Sequence, residues 1–306
     1  IGIDNVNAGT EDDGANGRDY LSRVGVKSTT KLSNGLTAMG QVEYGLRGSD
    51  FVNSSQMNAP TLRLLTVGIK GDFGTLTYGS QVPLFHKFVR GAYFSDGNDT
   101  VRLGTVRDDD LTNYVYKSGG VTLGAGIQTE GQDGDSIDSI NVGGEYKAGS
   151  FKLQAAAIKD RRGDNTGTLM GARVWYSIDN VTLSAFRHQQ NEDFDLYNGS
   201  TGNVRLRGAS VNGNVNGIGN CSGEARANTG VYAAYKLGSA KVHARYAIDS
   251  CEDAGDITST KVEYVNSLAK NYKYWVSHEV LSSDDARTPS TGDDMSETQI
   301  GIRYDF

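Results

Sequence analysis

Proline is nearly absent from this 306-residue chain, with three residues; histidine, tryptophan and cysteine number four, two and two. Each scarcity excludes something. The histidines are scattered with no pair at ligand spacing, and "HEVLS" at His278 lacks the second histidine of a zinc site. No metal, cofactor or catalytic constellation is therefore expected. Long apolar runs are missing too. Those present, such as Ala155 to Ile158, fall far short of the roughly 18 residues a membrane helix needs. The chain is thus soluble, or it crosses a membrane as strands. A basic surplus is missing as well: acidic residues outnumber basic ones by 37 to 30, for a net charge of −7, which sets nucleic acid aside. No secretory signal opens the sequence, so a mature or trimmed form is expected.

Glycine (40) and tyrosine (16) are plentiful, whereas hydrophobic residues make up only 37%, low for a large buried core. The aromatics recur at regular spacing, which argues for order. In "SRVGVKSTTKLSNGLTAMGQVEYGLRG", Val24 and Val26 alternate with Arg23, Gly25 and Lys27, and Asn34-Gly35 supplies the positive φ of a tight hairpin. The return segment places Leu36, Ala38, Val42, Tyr44 and Leu46 on one face, with Thr37, Gln41, Glu43 and Arg47 on the other. The same unit recurs through "GDFG", Ser118-Gly119-Gly120, "KAGS", "SIDN", Gly238-Ser239 and "LAKN". The chain closes on the alternating "SETQIGIRYDF". Seven hairpins, this closing strand and a short opening one at "IGIDNVN" give sixteen strands. The faces are ambiguous near Trp175, Phe186 and Trp275, which leaves room for bulges or register changes there.

The connections fall into two classes. Those inside hairpins are short, whereas those between hairpins, from Gly9–Tyr20 to Ser282–Ser296, are long and polar, and they hold Pro60, Pro83 and Pro289. Proline cannot donate to a ladder, so its confinement there supports the parse. Short turns at one end and long loops at the other are the pattern of an outer-membrane barrel. Tyrosine and phenylalanine cluster at strand ends, as in an interfacial girdle. The apolar faces are rich in small residues, which suits lipid better than an interdigitated core. Strands of about ten residues are long enough to cross a bilayer when tilted. The expected fold is all-β: one domain over 1–306, a 16-stranded antiparallel transmembrane β-barrel with long external loops. Cys221 and Cys251 lie in hydrophilic stretches, and one disulfide in an oxidising compartment is the expectation, with two unpaired thiols as the alternative.

The segments "SRVGVKSTTKLSNGLTAMGQVEYGL", "RLLTVGIKGDFGTLTYGSQ", "TNYVYKSGGVTLGAGIQ" and "GIRYDF" resemble the general diffusion porins of Gram-negative outer membranes. The resemblance runs in order over essentially the whole chain and is strongest to the enteric and Vibrio-type members. It implies a homotrimer whose barrels are separate water-filled pores. It also implies contact with outer-membrane lipid and lipopolysaccharide, and insertion by machinery that reads the C-terminal strand. The family's third external loop folds into the lumen as an eyelet. Here that loop is Val82 to Asp110, the expected constriction loop. Family eyelets set loop acids against wall arginines. By motif, Arg23 falls on a wall arginine and Glu43 on a wall glutamate, with Asp96 and Asp99 as the loop acids. Ser80 and Val115 stand where the family carries arginine, so Arg63, Lys70, Arg90 and Arg102 are the candidates to complete the constriction. The opening strand is about half the family's, so an incomplete first strand is expected.

The function implied is passive diffusion of ions and small hydrophilic solutes, with no enzyme activity. With a pI near 5.2 and acidic loops such as "GTEDDGANGRD", weak cation preference is expected. The competing readings are a substrate-specific porin for sugars or peptides and a barrel adhesin. A sugar slide would need an aromatic track, and Tyr93, Phe94 and Trp175 are few for that.

Overall fold

The computed structural model describes residues 1–7, 14–19, 22–46, 60–90, 93–95, 101, 103–129, 136–162, 166–194, 210–211, 214–215, 224–253, 255–283 and 294–306. The barrel wall begins with β1 (Gly2–Asn7), β2 (Gly14–Arg18), β3 (Arg23–Lys31), β4 (Thr37–Gly45), β5 (Thr61–Gly71) and β6 (Gly74–Gln81). It continues with β7 (Asp108–Ser118), β8 (Val121–Gln128), β9 (Ser139–Ala148), β10 (Phe151–Asp160), β11 (Gly167–Ile178) and β12 (Val181–Gln190). A small separate hairpin, β13 (Ser210–Val211) with β14 (Asn214–Val215), precedes β15 (Arg226–Leu237) and β16 (Ala240–Cys251). The wall ends with β17 (Gly255–Ala269), β18 (Tyr272–Ser283) and β19 (Met295–Tyr304).

The described ladders are all antiparallel; apart from β2 and β3, consecutive wall strands pair with each other, and β12 pairs with β15. β1 pairs with β19 on one side, Gly2 opposite Gly301, and with β2 on the other. β2 and β3 follow each other in the chain and share one wall position, β2 joined to β1 and β3 to β4. Counted this way, sixteen strands surround the lumen. The second edge of β3 has no ladder partner among the described residues, so hydrogen-bonded closure is incomplete at that seam.

All seven hairpins lie where the alternation places them. Some details differ. β2 falls inside the stretch expected as the first long loop, because β1 offers "GANGR" a ladder even without apolar alternation. Asp108 to Asp110 belong to β7, so the third loop is 82–107. Trp175, Phe186 and Trp275 sit in regular register, and the irregularities lie at Glu43/Tyr44, Gly79/Gln81 and Ser267/Ala269. Those three aromatics break the outward pattern because they face the lumen. Trp275 has room there because Gly301 lies opposite, where an added Cβ would stand 2.0 Å from the indole.

The faces are inverted relative to a soluble protein. Val26, Val67, Leu123, Val231 and Ile300 are exposed, while Asp249, Glu263, Lys261 and Glu279 on the inner face are buried. A soluble β-sandwich does the reverse, since burying apolar area is what stabilises it. An apolar outer band around a polar interior fits a barrel solvated by lipid.

Candidate functional site

The site is the lumen and the loop that enters it. After β6 the chain turns inward at Pro83 and forms one short π-type turn, η1 (His86–Arg90). Leu84, Phe85, Phe88 and Val89 are at most 3% exposed. They rest on a row of small residues: Gly124 on β8, Gly143 on β9, Ala156 on β10 and Gly171 on β11 stand directly opposite one another across three ladders. A Cβ at Gly143 would lie 2.5 Å from the Phe88 ring, and one at Gly124 would lie 3.0 Å from Leu84. Glycine here permits the close approach of loop to wall. Each apolar side chain seated this way contributes about 1.5–3 kcal/mol.

Beyond this seat the loop is pinned by Tyr93, Phe94 and Ser95. The Tyr93 ring stacks on Tyr232 at 4.4 Å, and the Arg173 guanidinium lies over it at 4.0 Å. Arg173 Nε also donates to the Tyr93 hydroxyl (2.8 Å), which bonds Ser184 (3.1 Å). Phe94 stacks on His243 (4.9 Å) and receives the Lys261 ammonium at 5.0 Å. Ser95 donates its backbone N–H and hydroxyl to the Glu263 carboxylate, at 3.1 and 2.7 Å. Glu263 also bonds His243 Nε2 (2.8 Å), whose Nδ1 meets the Tyr232 hydroxyl (3.1 Å). Behind these, Glu279 accepts from Arg245 (3.0 Å) and Ser259 (2.7 Å) and pairs with Lys261 (3.4 Å). The loop thus covers the wall formed by β8 to β12 and β15 to β18.

On the facing wall, Glu43 Oε1 accepts from Arg63 Nε at 2.8 Å and from Arg23 Nη1 at 3.4 Å. Arg63 is the extra residue of the irregularity opposite Glu43 and Tyr44. A bulge re-aims a side chain, and this one sends Arg63 across Gly45, where a Cβ would stand 3.0 Å from its Cδ. Arg23 and Glu43, the two residues placed by motif, are therefore brought together with Arg63, one of the four candidate substitutes. Lys70 is not with them: it pairs with Thr37 and Thr75 at the short-turn end. Arg90 ends η1. Asp96, Asp99, Arg102 and Cys221 lie outside the described residues. Cys251 ends β16, buried, with its sulfur in disulfide form.

The comparisons with known proteins meet this geometry. A family model described as Gram-negative porin matches residues 1–201. The chain belongs to the Gram-negative porin family. Outer membrane porin F of Salmonella typhi is 24% identical over 97% of this chain and 87% of its own length. Among solved structures, an anion-selective porin from Comamonas acidovorans covers 100% of this chain and 96% of its own, at 18% identity and TM-score 0.76. Salmonella typhi OmpF in complex with daunomycin covers 99% of this chain and 95% of its own, at 18% identity and TM-score 0.72. As a porin, this chain is a channel of the Gram-negative outer membrane and not an enzyme.

Sequence reasoning missed Arg173, Tyr232, His243, Glu263 and Ser95 as the loop's anchors. The signal was present in part. Tyr232, His243 and Glu263 alternate with the outward Val231, Val242 and Val262, so they had to face the lumen. That they meet one loop tip depends on register between three strands.

Proposed function

We propose that this porin is a general-diffusion channel for ions and small hydrophilic solutes, working as a homotrimer whose solutes pass between the docked third loop and the Arg23–Glu43–Arg63 wall. The observation that carries the reading is the one-sided seat of the loop. Its aromatics, Tyr93, Phe94, Phe186 and Tyr232, are at most 9% exposed. They hold the loop and offer no track to a sugar, which favours general diffusion over a sugar-specific pore. Single-channel recording in planar bilayers tests this: three similar conductance steps per insertion and no saturable block by sugars support it, and no conductance ends it.

On selectivity, the chain's charge of −7 supports weak cation preference, set at the acidic long-loop mouth. A second reading, anion preference, is favoured by the inward strand positions near the short turns, which carry Lys70, Lys117, Lys152, Lys236, Lys241 and Lys273. The sign of the reversal potential under a salt gradient separates the two. Cys221 and Cys251 are proposed to pair. Closing a span of 31 residues, counted from Cys221 through Cys251, contributes of order 3 kcal/mol in the chain-entropy model. A peptide mass map identical with and without reductant would refute the bond.

A further inference from the structure

Beneath the loop tip, on the short-turn side, lies a recess of about 430 Å³ lined by Ser95, Thr182, Lys236, Ser239, Lys241 and Lys273, among others. None of its described lining residues is acidic. Its wall contains an unfavourable arrangement: Lys236 and Lys241 stand directly opposite each other across the β15–β16 ladder. Like charges in that position destabilise a sheet. Two other basic pairs occur at this end of the barrel, Lys147 opposite Lys152 and Lys273 opposite Arg303. In each of those a carboxylate is supplied nearby, Glu145 to Lys147 at 3.2 Å and Asp305 to Arg303 at 2.8 Å. Lys236 and Lys241 have no such ion pair among the described residues. Glu263, the carboxylate whose charge acts on Lys241, is already engaged by Ser95 and His243.

We propose that this recess is a binding site for a small multivalent anion, a compact phosphate or a polycarboxylate, entering from the short-turn side. Two ammonium groups and neighbouring hydroxyls supply charge-assisted donors at a place where the empty wall repels itself. Short turns face the periplasm in barrels of this kind, so occupancy reports periplasmic anions. Such a site adds saturable, one-sided binding to a pore that otherwise passes solutes by diffusion.

The test uses the intact porin in planar bilayers, with pyrophosphate or citrate added to one side at a time. A saturating block from the short-turn side, absent from the other side, is expected for at least one of them. Block by pyrophosphate alone assigns phosphate chemistry, and block by citrate alone assigns carboxylate chemistry. In the double variant Lys236→Gln/Lys241→Gln the blocking constant should rise about tenfold for each ammonium lost, about a hundredfold for the two. Lys31→Gln, on β3, should keep the block. Because the double variant removes a repulsion, it should unfold at no lower temperature than the parent. Equal block from both sides, block unchanged in the double variant, or no block by either anion overturns the proposal. Conductance steps without block overturn this site alone, whereas absent conductance overturns the channel reading.

Discussion

The two walls of the lumen carry similar residues in opposite conditions. Under the loop, Arg245, Lys261, Glu263 and Glu279 are at most 1% exposed, although all four side chains are ionisable. Across the pore, the Arg23, Glu43 and Arg63 side chains are 35, 16 and 13% exposed. Breaking a buried pair strands an uncompensated charge, so the covered wall acts as structure. A partly exposed pair is screened by water and can meet passing ions, so the wall the loop leaves open acts on solutes. The same chemistry thus holds a plug on one side and sets a field on the other.

The contrast is broken most severely at Glu263. Glu263→Ala removes the acceptor shared by Ser95 and His243 and the carboxylate whose charge acts on Lys241. It should lower stability by about 3–5 kcal/mol and release the loop tip. Denaturant unfolding and larger, noisier single-channel currents check this. Next comes Tyr93→Phe, which keeps the stack on Tyr232 but loses the hydroxyl's bonds to Arg173 and Ser184. A loss of about 1–3 kcal/mol is expected, read from the same unfolding curves. The smallest stability effect belongs to Glu43→Gln, under about 1 kcal/mol. Its permeability effect should be the clearest of the three. Arg23 and Arg63 lose their counter-charge, and the reversal potential should move toward anions.

The barrel was legible because a period of two, interrupted by short glycine or asparagine turns, admits few alternatives. β2 was not legible: "GANGR" has no apolar face and is a strand only because β1 lies beside it. Arg23, Glu43 and Arg63 were legible as a group, two by motif and one as a substitute. The bulge that aims Arg63 was not, since nothing local marks it. The loop's seat was hidden for a different reason. Gly124, Gly143, Ala156 and Gly171 look unrelated along the chain and become one surface only when four strands pair in register. Asp96, Asp99, Arg90 and Arg102 stay proposals for the constriction, on the loop whose neighbour Ser95 is fixed to β17.

One measurement tests the division between the walls most directly. Gln41→Cys places a thiol on the bare wall, two residues from Glu43 along β4, and Ser259→Cys places one beneath the loop, beside Arg245 and Glu279. A charged thiol-specific reagent is added during single-channel recording. The account predicts a stepwise fall in current for Gln41→Cys and no change for Ser259→Cys. Equal modification of both positions, or of Ser259→Cys alone, would contradict it.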